Sequence, residues 1–113
     1  MKVLVCGGRD YTDKNNVFST LDEIHKDNKI DVIINGGAKG ADAFSYLWAI
    51  ENNIKVDTFN ADWKLYGRAA GIKRNQQMIE ANPDLVVAFA GGKGTADMID
   101  RCQRNGIKLI KRD

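Results

Sequence analysis

The sequence has one histidine and two cysteines among its 113 residues, and each scarcity narrows the classes of function open to it. With His25 alone, a multi-histidine metal site cannot be assembled, and a Ser-His-Asp triad would have to be built at that one position. His25 falls on the polar face of a predicted helix and is expected to be solvated. Cys6 and Cys102 show no metal-ligand spacing and are expected to be free thiols with packing roles. No apolar run approaches the roughly 20 residues needed to span a bilayer, and the N-terminus enters a strand directly, without a signal-peptide layout. The expectation is a cytoplasmic protein with no membrane association. An excess of one charge is also missing. The 17 basic and 15 acidic residues leave a net charge of +2, too weak a field for avid duplex-DNA binding, although a local positive cleft stays open as a possibility. A hydrophobic content of 43% and a charged content of 28% are ordinary for a soluble globular protein. With no break in composition, residues 1–113 read as one domain, long enough for a core.

Glycine, with 11 copies, is where the information lies. The chain is organised around Leu85-Val86-Val87-Ala88-Phe89-Ala90-Gly91-Gly92-Lys93-Gly94-Thr95-Ala96-Asp97. An apolar run of strand length ends in a glycine turn, and a helical pattern resumes behind it. Glycines let the backbone turn with positive φ and approach a ligand closely, and the free N–H groups of the following helix favour an anion. An echo stands at Val32-Ile33-Ile34-Asn35-Gly36-Gly37-Ala38-Lys39-Gly40-Ala41-Asp42. Glycine-rich turns also join strands to helices for purely structural reasons, but recurrence of the Lys-Gly and Ala-Asp pieces favours two sides of one site. Neither loop has Walker A spacing or reads G-x-G-x-x-G, so ATP hydrolysis and dinucleotide binding are not the first expectations.

In chain order, Lys2 to Cys6 reads as a strand followed by the turn Gly7-Gly8-Arg9-Asp10-Tyr11. Thr12 or Asp13 can cap a helix whose apolar face is Val17, Phe18, Leu21 and Ile24. A second strand is expected over Ile30 to Ile34, then a helix with the stripe Ala41, Phe44, Leu47 and Trp48, ended by Asn52-Asn53. Ile54 to Phe59 alternates apolar and polar residues, as a strand near a sheet edge does. Asn60 to Gly71 reads as irregular, with Trp63, Tyr66 and Arg68 packed into it, and its aromatics are candidates for stacking on a base. A helix over Ala69 to Ala81 is stopped by Asn82-Pro83. Leu85 to Phe89 is the fourth strand, Thr95 to Asn105 the fourth helix with Gly106 at C′, and Ile107 to Ile110 the fifth strand. Regular alternation of strands and helices predicts right-handed crossovers and a Rossmann-like α/β three-layer sandwich, with a five-stranded parallel sheet and about four helices. Ligands of such sheets bind beyond the C-terminal strand ends, near the reversal of strand order. Gly7, Gly36 and Gly91 all stand there.

Four ordered motifs resemble the SLOG superfamily, and within it the small YspA-like proteins: Gly7-Gly8-Arg9; Gly36 to Asp42; Trp63 to Gly67 with Ala69-Ala70-Gly71 and Arg74-Asn75; and Gly91 to Met98. The resemblance runs nearly end to end. It implies a nucleotide-binding scaffold and, from relatives, a homo-oligomer, expected as a dimer because closed symmetric dimers are the commonest assembly. The superfamily's Lonely-Guy phosphoribohydrolases carry a P-G-G-x-G-T-x-x-E loop and an R-K-x-x-M helix and cleave the N-glycosidic bond of a nucleoside monophosphate. By that pattern Gly91, Gly92, Gly94 and Thr95 would hold a phosphate, and Arg74, four residues before Met78, would match the functional arginine. This chain departs from it, with Ala90 for the proline and Met98 where the pattern has its catalytic glutamate. Without that carboxylate the oxocarbenium-like centre loses its partner. Asp97 points about 100° away around a helix, and Asp100 is a further candidate. The DNA-processing protein A family, which binds single-stranded DNA, resembles the chain at Gly36 to Asp42.

The leading expectation is therefore a module binding a nucleotide or nucleotide derivative, as a sensor or carrier, with no metal or other cofactor. Its ligand residues would be Gly7, Gly8, Arg9, Gly36, Gly37, Lys39, Gly40, Asp42, Arg74, Asn75, Gly91, Gly92, Lys93, Gly94 and Thr95. Trp63 and Tyr66 would stack on the base, and the phosphate would sit at helix N-termini at Gly40 and Gly94. The alternatives are a phosphoribohydrolase, with Arg74, Asp97 and Asp100 as catalytic candidates, and a module binding single-stranded nucleic acid. Lys39, Arg68, Lys73, Arg74 and Lys93 cluster around loops rather than in one run, which suits a compact phosphate better than a strand.

Overall fold

Alternate residues of the central strands face opposite ways, and in this chain both sets are apolar. Val3 and Val5 enter one hydrophobic cluster while Leu4 and Cys6 enter another. A strand buried on both faces belongs in the middle of a covered parallel sheet. The computed structural model, which describes all residues from Met1 to Asp113, has that architecture. Its elements are β1 (Lys2–Cys6), α1 (Lys14–Asp27), β2 (Val32–Asn35), α2 (Ala41–Glu51), β3 (Lys55–Thr58), α3 (Trp63–Tyr66), α4 (Ala70–Glu80), β4 (Leu85–Phe89), α5 (Lys93–Arg104) and β5 (Lys108–Arg112), with a 3₁₀ turn at Gly67–Ala69. All strands are parallel, in the order β3-β2-β1-β4-β5. The Rossmann-like sandwich is as expected, and β3 is an edge strand as its alternation implied.

The two clusters divide the helices. Val17 and Leu21 of α1 and Trp48 and Ala49 of α2 pack on Val3, Val5, Ile33, Val87 and Phe89. On the other face, Met78 and Ile79 of α4 and Met98 and Cys102 of α5 pack on Leu4, Ile34, Val86 and Ala88. Chain direction reverses across the sheet after β3. The β1/β4 boundary, where successive connections diverge, is the crevice of the fold.

Helix ends follow the side chains. Asp13 caps α1 by accepting from the Asn16 amide at 2.9 Å. Asn53 and Asn82 end α2 and α4 in the left-handed region, at φ 57° and 58°, which asparagine tolerates.

Four local expectations need correction. The second strand starts at Val32 rather than Ile30, because the Ile30 amide donates to His25 Nδ1 at 3.0 Å and the Asp31 amide to the Met1 carbonyl at 2.9 Å. The same bond shows that His25 is not solvated. Its ring is half-buried and meets Trp48 edge-on at a centroid distance of 5.5 Å. The Asn60–Gly71 segment is not all irregular: Asp62 Oδ1 accepts from the Leu65 amide at 3.0 Å and caps the single turn of α3. Finally, α5 begins at Lys93 rather than Thr95, so its lysine and third glycine lie in the first helical turn.

Candidate functional site

The turns after β1, β2 and β4 meet at the C-terminal edge of the sheet around one cavity of about 950 Å³, lined by Gly7, Gly8, Gly36, Gly37, Gly91 and Gly92 among others. Their convergence depends on backbone contacts that exclude a side chain. The Gly8 amide donates to the Ala90 carbonyl at 2.8 Å, tying the first turn to the last. Gly40 caps α2 at φ +73°, and a Cβ there would overlap the Gly8 carbonyl oxygen and lie 2.8 Å from that of Arg9. Gly91 leaves space for the Thr95 side chain, which is buried beneath it.

The two Lys-Gly loops have similar sequences and opposite states. In the loop after β2, Asp42 turns back so that its Oδ2 accepts from the amides of Gly36 and Ala38, both at 3.2 Å. Burial raises the Asp42 pKa, opposed by these two hydrogen bonds and the charge of Arg74. Arg74 Nη1 donates to the Gly36 carbonyl at 2.8 Å and its Nε to Asn75 Oδ1 at 3.2 Å. This loop supplies its own anion. At the other loop, α5 starts behind Gly92 with no side-chain cap, and space is open where a Cβ would stand on Gly92 or Gly94. The first-turn amides of α5, reinforced by the helix dipole, therefore face the cleft unfilled. The α5 end begins at Gly92 rather than Gly94, and the α2 end at Gly40, which also has no side-chain cap, does not line the cavity.

Comparison with known proteins agrees with this fold. The model of the YspA, cpYpsA-related SLOG family matches residues 1–66. The chain belongs to this family. It is also 34% identical over 117 residues to the Gene 61 protein of Mycobacterium phage D29, covering 96% of this chain and 94% of that one. Among solved structures, DNA processing protein A from Streptococcus pneumoniae shares the fold with a TM-score of 0.55 at 18% identity. That likeness covers 96% of this chain, which spans 58% of the DNA processing protein A chain. The SLOG family match includes the glycine turns after β1 and β2 and ends within α3, so the uncapped turn at α5 lies outside it.

Within this SLOG fold, the expected site residues separate. Arg9, Asp42, Arg74, Asn75, Lys93, Gly94 and Thr95 line the cavity with the three glycine pairs, whereas Lys39 and Gly40 do not. Lys39 is exposed, and Gly40 works from behind as a packing residue. Trp63 lines the cavity with 59% of its surface exposed. Tyr66 is off the wall, under the ammonium of Lys73 at 4.9 Å.

The carboxylates considered for catalysis are directed elsewhere. Asp97 Oδ2 accepts from Asn75 Nδ2 at 3.0 Å and from Arg101 Nε at 2.8 Å. Burial works against its ionisation, but the bonds from Asn75 and Arg101 and the charges of Arg101 and Arg104 outweigh it and hold the pKa low. Asp100 is exposed and paired with Arg104 at 2.9 Å. Neither touches the cavity, and Met98 is fully buried in the α4/α5 core. Asn75, itself buried, also donates to the Gly94 carbonyl at 3.1 Å, so it braces the first turn of α5 from below.

Cys6, Asp10, Tyr11, Asn60 and Met78 also line the cavity and did not stand out in the sequence as ligand residues. Asp10, Tyr11 and Asn60 lie just past C-terminal strand ends, which is the signal that could have found them. Burial first, then the charges of Asp42 and Cys102, push the Cys6 thiol up to about 12, which keeps it protonated and unreactive. No cluster of three or more His, Cys, Asp or Glu side chains comes together to hold a metal ion.

Proposed function

We propose that this protein binds a nucleotide or nucleotide-derived ligand at the C-terminal edge of its sheet, with a phosphate on the first turn of α5, and acts as a sensor or carrier. One observation carries this reading: of two similar glycine loops opening on one cavity, the loop after β2 is filled by Asp42 and the loop after β4 is open. Arg9 and Lys93 lie on the same wall and are exposed. Charge-assisted hydrogen bonds from such groups contribute about 1.5–3 kcal/mol each, so two or three support micromolar binding after the entropy of association is subtracted. The exposed ring of Trp63 lies on the wall of the same cavity.

The reading places no hydrolysis in this cavity at a useful rate. Its wall carries only Asp10 and Asp42 as carboxylates, and Asp42 is committed to its own loop. Homodimerisation goes with the proposal, supported by apolar side chains such as Leu65 and Ile72, which are 67% and 51% exposed; light scattering measures it. No helix is long and apolar enough to cross a membrane.

The second reading, a single-stranded nucleic-acid site, is favoured by the fold shared with DNA processing protein A. One experiment addresses both. Thermal shift and calorimetry with the common nucleoside 5′-mono- and diphosphates and an oligothymidylate, with chromatography for released base, should give stabilisation by nucleotide and no rapid release. A ligand at 100 times its Kd adds about 2.7 kcal/mol of stability. Binding of the oligonucleotide alone selects the second reading, and rapid release of base overturns the non-hydrolytic one.

A further inference from the structure

A second hollow, of about 440 Å³, adjoins the main cavity across a shared wall of Gly37, Ala38, Asp42 and Asn60. We infer that this junction is a nucleobase subsite and that the side-chain amide of Asn60 reads the edge of the base. The inference rests on the nucleotide reading given above and assigns the end of the ligand opposite its phosphate.

Chemistry separates the two ends. Arg9 and Lys93 lie on the main cavity, whereas the smaller hollow has Asp42 as its sole charged residue, and otherwise Ala43, Tyr46 and Leu47 on its outer side. A phosphate is unfavourable there and a neutral flat ring is suited to it. The Tyr46 ring is 48% exposed, and aromatic faces take bases of any sequence.

Asn60 is the polar group placed to discriminate. It follows the edge strand β3 and its amide lies against the α-carbon of Gly37, where any Cβ would overlap its Oδ1 and meet Thr58 Cγ2 at 2.8 Å. Gly37, at φ +70°, thus lets the amide settle on the backbone. Neighbouring donors are satisfied without it, since Asn35 Oδ1 accepts from the Gly37 amide at 3.2 Å and the Thr58 hydroxyl at 3.0 Å. One free donor pair and one free acceptor therefore stand at the junction, and an amide of this kind pairs with a base edge in two-point fashion. The α5 turn follows β4, three strand separations or about 14 Å from the end of β3, so phosphate and base occupy opposite ends of the cleft. That reach suits a nucleoside diphosphate.

The test is calorimetric titration of the whole protein with ADP, GDP, CDP and UDP, and with pyrophosphate as a probe lacking a base. The protein should prefer one base by about five- to tenfold, the worth of one or two hydrogen bonds. Asn60→Ala should reduce that preference to less than about twofold with pyrophosphate binding unchanged, and Tyr46→Ala should weaken all four nucleotides but not pyrophosphate. Both positions are exposed, and melting curves verify folding. If the protein binds the four diphosphates without preference, or Asn60→Ala keeps the preference, the assignment of Asn60 fails while the nucleotide reading stands. Unchanged nucleotide affinity in Tyr46→Ala removes the hollow as the seat of the base. If no nucleotide binds, the nucleotide reading fails and the subsite fails with it.

Discussion

The guanidinium of Arg74 donates to the carbonyl oxygen of Gly36 at 2.8 Å, joining residues 38 positions apart in sequence. Through it α4 holds the turn after β2 in the shape that Asp42 fills from the other side. Arg74 thus supports one wall of the cleft besides lining it, and its two bound nitrogens leave the guanidinium little freedom to follow a ligand.

Arg74→Ala should therefore cost stability as well as affinity. The Gly36 carbonyl loses a charged donor in a half-buried setting, a loss of about 1–3 kcal/mol, and Asn75 Oδ1 loses its partner too. Arg74→Lys should recover less than half of this, because a lysine amine cannot reproduce the fork that meets both acceptors. Urea denaturation midpoints of the three proteins measure the difference.

Gly40 and Gly92 should behave oppositely on substitution by alanine. At Gly40 the positive φ alone costs about 1–3 kcal/mol, and overlap with the Gly8 carbonyl adds to it. At Gly92 the added methyl meets open space, so the stability should hold within about ±0.5 kcal/mol, as for surface changes. A bulkier Gly92→Val should abolish nucleotide binding in calorimetry while the melting curve stays near that of the parent.

Acid should expose the Asp97 contribution. Its carboxyl has a folded pKa below the ordinary value of 3.8, so the stabilisation it provides is complete above that value and is lost as pH falls through the folded pKa. Asp97→Asn should be less stable than the parent at pH 7 and converge with it as pH falls through the folded pKa. Asp42 titrates in the opposite sense. Its pKa is raised by burial, so its contribution is present below 3.8 and fades as pH rises through the folded pKa. Melting temperatures of parent and Asp97→Asn across pH 2–8 separate the two.

Met98→Glu should not create a hydrolase. The side chain is fully buried in the α4/α5 core, and a glutamate fully buried in apolar surroundings is pushed above neutral pH, so taking up its proton costs about 4 kcal/mol at pH 7 against an ordinary value of about 4.3. The expected result is a destabilised protein with no release of free base, seen by combining thermal melts with chromatography.

Much of this molecule was legible from residue order. The double-sided apolar runs gave the central strands, the alternation over residues 54–59 gave the edge strand, and the three glycine pairs gave the position of the cleft. What stayed hidden was how similar loops diverge. Asp42 is the second residue of α2 and can reach back to its own loop, while Asp97 is the fifth of α5 and lies more than a turn inside. Of the three positions between second and fifth, Thr95 adds one and the start of α5 at its lysine adds the other two, which leaves one loop filled and the other open. Asn60 was hidden for a different reason: a lone asparagine after a strand has no local pattern to mark it, and only the fold brings it beside Gly37.

The placement of β1 between β2 and β4 also has a temporal side. During synthesis the turn at Gly8 leaves the ribosome early, whereas the Ala90 carbonyl that receives its amide follows 82 residues later. At 5–20 residues per second this is a delay of about 4–16 s. Throughout it the partner that β4 gives to the central strand is missing. The cavity that all three turns line is thus complete only after residue 95 has been made.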